Sequence, residues 1–100
     1  MGKTLSPDRR YVILVRHASR DFKSNPDESK QKMSGWRPDF ESVTPDFEVK
    51  GLPLTLAIAH RLADELGPVK VTHVWHSPHV VAGQTAEAYR WVVRERTQHV

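Results

Sequence analysis

The stretch that decides the predicted fold is Tyr11-Val12-Ile13-Leu14-Val15-Arg16-His17-Ala18-Ser19-Arg20. An apolar run follows the tyrosine and is mostly β-branched, which favours a strand over residues 11–15. Because the run does not alternate with polar residues, we expect both of its faces to be buried, as in a parallel sheet. Arg16 and His17 follow directly, and open α/β sheets bind ligands at the carboxyl ends of their strands. The stretch therefore predicts a buried strand that ends in a ligand site.

The residue pair Arg16-His17 is suited to phosphate chemistry. The arginine offers a planar fork of donors that matches phosphoryl oxygens. A neutral histidine beside it can attack phosphorus and form a covalent phosphohistidine. The alternative is that the strand ends in two solvated polar residues with no ligand.

The rest of the chain predicts a βαβα unit with parallel strands. A helix is expected over residues 52–66, a second strand over residues 69–75 and a second helix over residues 80–96. The first helix has one apolar face, and its end is predicted by Gly67-Pro68. A right-handed crossover would bring the ends of both strands, Arg16-His17 and His76-Ser77, to the same edge of the sheet. The apolar positions of the first helix are Leu52, Leu56, Ile58, Ala59, Leu62, Ala63 and Leu66, and those of the second are Val81, Thr85, Ala88, Tyr89 and Val92.

Three motifs together resemble the histidine phosphatase superfamily, the phosphoglycerate-mutase-like enzymes. Arg16-His17-Ala18 is similar to the family's Arg-His-Gly, and Arg20 falls on the second arginine of the acid phosphatase version of that motif. Gly51-Leu52-Pro53-Leu54-Thr55 is similar to the Gly-x-x-Gln-Ala start of the first helix. Ser77-Pro78-His79-Val80-Val81-Ala82-Gly83-Gln84-Thr85-Ala86 is similar to Ser-Pro-x-x-Arg-Ala-x-Gln-Thr-Ala.

The resemblance implies a fold, a reaction and a site. The fold would be α/β, the N-terminal half of a three-layer phosphoglycerate-mutase-like domain. The reaction would be phosphoryl transfer through a phosphohistidine at His17, either hydrolysis of a phosphomonoester or a mutase reaction, on a phosphorylated small molecule or a phosphoprotein. Arg16, Arg20 and Ser77 would bind the phosphoryl group, and no metal or organic cofactor is implied.

The chain departs from the family pattern at several places. Phe22 stands where the acid phosphatase motif has proline, and Leu54 and Thr55 replace the glutamine and alanine of Gly-x-x-Gln-Ala. Val81 stands where the family supplies an arginine to the phosphate, and Arg20 is the expected substitute. No later strand supplies a second histidine and an acid, so we expect residues 1–100 to form a single domain that is incomplete at its C-terminus. The alternative function is therefore a non-catalytic phosphate-binding or interaction module, and self-association through exposed sheet edges is expected.

The composition of the chain argues against several other classes of protein. The chain has 100 residues, no cysteine and a formal net charge of +3, so neither a disulfide nor a cysteine zinc site is available. This charge excess is too small to predict nucleic-acid binding. No apolar run is long enough for a membrane span, and we expect a cytoplasmic location. The start Met1-Gly2 fits a short myristoylation pattern that also arises by chance.

A histidine-rich region and a long polar region have residue patterns that also bear on function. His73, His76 and His79 recur at intervals of three, but His73 and His76 would point to opposite faces of a strand, so no shared metal is expected. Residues 21–46 are polar and without a period, which predicts a long loop anchored by Trp36 and Phe40. This loop faces the substrate in one interpretation and is only a surface loop in the other.

Overall fold

Two α-helices dominate the computed structural model, which describes residues 8–67 and 69–97. Helix α1 spans Leu52–Leu66 and helix α2 spans Val80–Thr97. Short 3₁₀ helices at Glu28–Lys30 and Phe40–Ser42 lie in the long loop before α1. None of the helices in the described ranges is long and apolar enough to cross a membrane. The myristoylation pattern at Met1-Gly2 and the Pro68 half of the helix stop lie outside the described residues.

Helix α1 has the bounds that the sequence predicts. It begins after Gly51, whose φ of +90° favours glycine, and carries a proline in its first turn. It ends at Leu66 and is followed by Gly67, which has a φ of +55°. Its apolar face is buried at Leu52, Leu56, Ala59, Ala63 and Leu66. The expectation that Ile58 belongs to this face is wrong, since its side chain is 39% exposed.

Helix α2 packs on α1 through the stripe that its periodicity predicts. Val81, Thr85, Ala88 and Val92 are buried, and Tyr89 is half-buried against them. Val93 is buried as well, although the predicted stripe does not include it. The two helices therefore form one apolar layer, with the stripes of both helices facing each other.

The long loop supplies the other side of this core. Met33 and Phe40 are buried against the helices. The ring of Trp36 stacks on Phe40 with centroids 5.1 Å apart, and Phe40 meets the edge of Trp91 at 5.8 Å. These contacts confirm the prediction that Trp36 and Phe40 anchor the loop. The loop occupies a face of the helix pair and contributes core residues to it.

The predicted parallel-sheet α/β fold is wrong for the described residues. Residues 11–15 and 69–75 are in no strand, and the β-type contact that the structure has is an isolated antiparallel bridge between Arg20 and Met33. Val12 and Leu14 are 85% and 92% exposed, so the expected burial of residues 11–15 is also wrong. The physical reason is that β-branched residues favour an extended backbone locally, whereas a strand also needs a second backbone to pair with. Here the helices bury their apolar faces against each other and the loop instead.

Candidate functional site

Two polar side chains of α2 hold the loops that come after Arg16-His17. The hydroxyl of Thr85 accepts a hydrogen bond from the Ala18 N–H at 3.0 Å and donates one to the Val81 carbonyl at 2.8 Å. The amide oxygen of neighbouring Gln84 accepts from the Met33 N–H at 2.6 Å. The residue after His17 is thereby fixed to the second turn of α2.

Further main-chain bonds lock the same junction. The Ser34 N–H donates to the Ser19 carbonyl and the Asp21 N–H donates to the Lys32 carbonyl, both at 2.8 Å. The Ser34 carbonyl in turn accepts from the Leu52 N–H at 2.9 Å, at the start of α1. The chain that leaves His17 is therefore connected to both helices.

His17 lies at the surface with one of its two ring nitrogens engaged. Its Nδ1 is 2.8 Å from the carbonyl oxygen of Ala18. Because a carbonyl oxygen only accepts, Nδ1 must carry the proton in this bond, and in the neutral ring Nε2 then holds a free lone pair. The side chain is exposed, so an incoming ligand can reach Nε2.

Arg16 and Arg20 differ in how much of their charge is available. Arg16 is exposed and has neither a hydrogen bond nor an ion pair among the described residues. Arg20 Nη1 lies 2.6 Å from Glu28 Oε1, and its guanidinium lies over the Phe22 ring at 5.2 Å from the centroid. The hydrogen bond from Arg20 also lowers the pKa of Glu28, so this carboxylate stays charged. Its negative charge offsets the positive charge of Arg20.

The second predicted motif reaches the same helix. His76 lies beside the first turns of α2, where a Cβ added at Gly83 would be 3.4 Å from the histidine Cε1. Its Nδ1 is 2.8 Å from the Ser77 carbonyl oxygen, the same arrangement as in His17. The Ser77 hydroxyl is 3.4 Å from the His79 N–H that precedes α2. Both motifs thus meet α2 in its first two turns, although the sheet edge that was predicted to join them is not formed.

Two clefts in the described part of the chain lie along helix α2. A cleft of about 310 Å³ is lined by His76, Gly83, Glu87 and Arg90 together with Val74 and Ala86. A second cleft of about 360 Å³ lies between Phe40 and the outer face of α2. Within the described ranges, no group of three or more metal-ligating side chains is placed to hold a metal ion. His17 and Arg16 are exposed and line neither of these two clefts.

The sequence predicted no hydrogen bond between the loops and Gln84 or Thr85, and no role for Glu28. Thr85 could have been recognised because it is a polar residue on the apolar stripe of α2, where a buried hydroxyl needs a hydrogen-bond partner. The sequence does not indicate that Glu28 would contact Arg20, because the residues between them form an irregular loop without a helical or strand period. Only the folded loop brings these two side chains together.

Comparisons of the chain with protein-family models, curated proteins and solved structures gave no match. The histidine phosphatase resemblance therefore depends on the motif residues themselves.

Proposed function

We propose that this protein binds the phosphoryl group of a phosphorylated small molecule or phosphoprotein beside His17 and accepts it as a phosphohistidine. The observation that carries the proposal is the hydrogen bond from His17 Nδ1 to the Ala18 carbonyl oxygen. This bond selects the tautomer in which Nε2 is the nucleophile, and it fixes the orientation of the ring. The hydrogen bond from the Ala18 N–H to the Thr85 hydroxyl supports this proposal, because it holds Ala18, the partner of His17, against α2.

In the proposed reaction His17 accepts the phosphoryl group while Arg16 binds its oxygens. The Nε2 lone pair forms the N–P bond while the bond from phosphorus to the leaving oxygen breaks, and that oxygen departs as an anion or takes a proton from solvent. Arg16 donates to the phosphoryl oxygens and offsets their charge. Water then attacks phosphorus, the N–P bond breaks, and orthophosphate leaves with Nε2 restored. We propose a cytoplasmic setting for this reaction, consistent with the absence of cysteine.

The second candidate is a phosphate-binding module without turnover, and the Arg20–Glu28 pair favours it. A phosphoryl group at His17 would be neutralised mainly by Arg16, because Glu28 already opposes the charge of Arg20. Phosphomonoesters with poor leaving groups also need a general acid, which typically contributes about 10²–10⁴-fold. Under this candidate the chain binds orthophosphate but does not hydrolyse p-nitrophenyl phosphate. Under phosphoryl transfer, hydrolysis occurs and is lost in His17→Ala.

Acetyl phosphate provides a direct test, because its leaving group needs no protonation. The chain is incubated with acetyl phosphate, and intact mass is measured for the parent, His17→Ala and His73→Ala. His73 is a suitable control because it is also exposed, with its Nδ1 3.0 Å from the Thr72 hydroxyl. We expect one acid-labile phosphoryl group on the parent and on His73→Ala, and none on His17→Ala. Equal labelling of His17→Ala would refute the assignment of the nucleophile.

A further inference from the structure

The exposed segment at residues 11–15, here called the edge segment, has two different faces. Val12 and Leu14 are 85% and 92% exposed, whereas Tyr11, Ile13 and Val15 are only 39–47% exposed. This alternation with a period of two is typical of an extended backbone with one side against the protein. Val12 and Leu14 therefore present aliphatic side chains to solvent on the same face.

The main chain of residues 12–15 has no hydrogen-bond partner among the described residues. Residues 10–19 contain no helix, turn or bend. A row of open N–H and C=O groups on an extended backbone is a template for another strand. Main-chain hydrogen bonds then give affinity, and alternate side chains give specificity.

Cations stand at both ends of the edge segment. Arg9 and Arg10 precede it and Arg16 follows it, and all three are exposed. Asp8 directly precedes Arg9, and residues 9–17 contain no acidic residue. An added strand would thus meet aliphatic side chains in the middle of the segment and positive charge at each end.

We propose that the edge segment binds an extended strand of a partner protein that carries apolar side chains at alternate positions and carboxylates at both ends. Charge complementarity selects this partner over a second copy of the chain. In antiparallel self-pairing centred on Ile13, Arg10 would face Arg16 twice, and like charges directly opposite each other are destabilising. A lipid surface is disfavoured because apolar lipid would leave the open main-chain groups unpaired. Strand binding does not require phosphoryl transfer at His17, although Arg16 borders both sites.

The probe is the peptide Glu-Glu-Val-Thr-Val-Thr-Val-Glu-Glu, titrated into the chain by calorimetry. Two control peptides have lysine in place of every glutamate, or N-methyl groups on alternate residues that block pairing. On the protein side, Leu14→Asp changes the exposed face of the edge segment. Phe22→Asp is the matched control because Phe22 is an exposed apolar residue outside that segment.

We expect the acidic peptide to bind, its affinity to fall with added salt, and the amides of residues 12–15 to become protected from hydrogen exchange. Leu14→Asp should weaken binding by about tenfold or more, since it removes apolar contact and adds repulsion, while Phe22→Asp should bind like the parent. Equal binding of either control peptide, no binding of the acidic peptide, or full binding by Leu14→Asp would overturn the proposal. A dimer of the parent that Leu14→Asp dissociates would assign the segment to a second copy, and binding of anionic phospholipid vesicles in place of the peptide would assign it to a membrane. Either result would also overturn the proposal.

Discussion

At the residue scale, Arg16 and Arg20 have different environments although both follow the same apolar run. Arg16 is exposed and has no acidic neighbour within ion-pair distance among the described residues, whereas Arg20 is paired with Glu28. Exposed pairs of this kind contribute little to stability. The Arg20–Glu28 pair is therefore better tested through its effect on phosphate affinity than through its effect on stability.

Replacement of Arg16 by alanine should weaken the binding of orthophosphate. A hydrogen bond to a charged group contributes about 1.5–3 kcal/mol, which corresponds to roughly a tenfold loss of affinity or more. Calorimetric titration of parent and variant measures this difference, and Arg90→Ala on the outer face of α2 is a matched control that should bind like the parent. Equal affinity of Arg16→Ala and parent would remove Arg16 from the site.

Glu28→Gln should strengthen phosphate binding, because it releases the charge of Arg20. Because exposed ion pairs are weak, we expect a gain of no more than about fivefold. The gain should vanish when Arg20→Ala is added. If Glu28→Gln leaves the affinity unchanged, Arg20 plays no part in anion binding.

The contribution of the Arg20–Glu28 pair to stability should decrease at low pH. Since Arg20 lowers the pKa of Glu28 below its ordinary value of 4.5, the folded form binds a proton there less readily than the unfolded chain. The contribution of this pair to stability is therefore present above the unfolded pKa and is lost as the pH falls through the folded pKa.

At the element scale, helix α1 depends on a glycine at its entrance. Gly51 has a φ of +90°, and a Cβ there would collide with the Ser34 carbonyl, which accepts the Leu52 N–H. Gly51→Ala should therefore destabilise the fold by about 1–3 kcal/mol, as is usual for strained backbone positions. Denaturant unfolding measures this loss.

Gly83→Ala is the control for Gly51→Ala because Gly83 lies inside α2 without a positive φ. Alanine is favoured over glycine in a helix interior by roughly 0.5–1 kcal/mol, and its Cβ would meet only the His76 ring. We expect this variant to be no less stable than the parent. Equal losses for both variants would contradict the role given to Gly51.

The helices could be predicted from the sequence because their signals are local. The spacing from Leu52 to Leu66 and the flanking glycines specify α1 without reference to the rest of the chain. The runs at residues 11–15 and 69–75 carry an equally strong local preference for extended backbone. Their pairing depends on distant residues, and nothing in either run specifies a partner, so the predicted sheet was wrong.

At the scale of the whole molecule, helix α2 is the common support of the candidate site. Gln84 and Thr85 hold the loops that follow His17, and Gly83 lies against His76. The sequence predicted that the two motifs would lie together at one sheet edge. That sheet is not formed in the described residues, and what the structure shows is that each motif contacts the first two turns of α2. The sequence could not predict the neutralisation of Arg20 by Glu28, because that contact depends on the path of the long loop. The proposed nucleophile, in contrast, is a hypothesis that comes from Arg16-His17 together with the histidine phosphatase resemblance.

The central claim is that His17 accepts a phosphoryl group on Nε2 while Nδ1 remains protonated and bonded to the Ala18 carbonyl. Long-range ¹H–¹⁵N NMR spectra of the ¹⁵N-labelled chain, recorded before and after incubation with acetyl phosphate, test both parts of this claim. The account predicts the Nδ1–H tautomer of neutral His17 before the reaction and phosphorus coupling to His17 Nε2 after it. A dominant Nε2–H tautomer, or a phosphoryl group on Nδ1 or on another histidine, would contradict it.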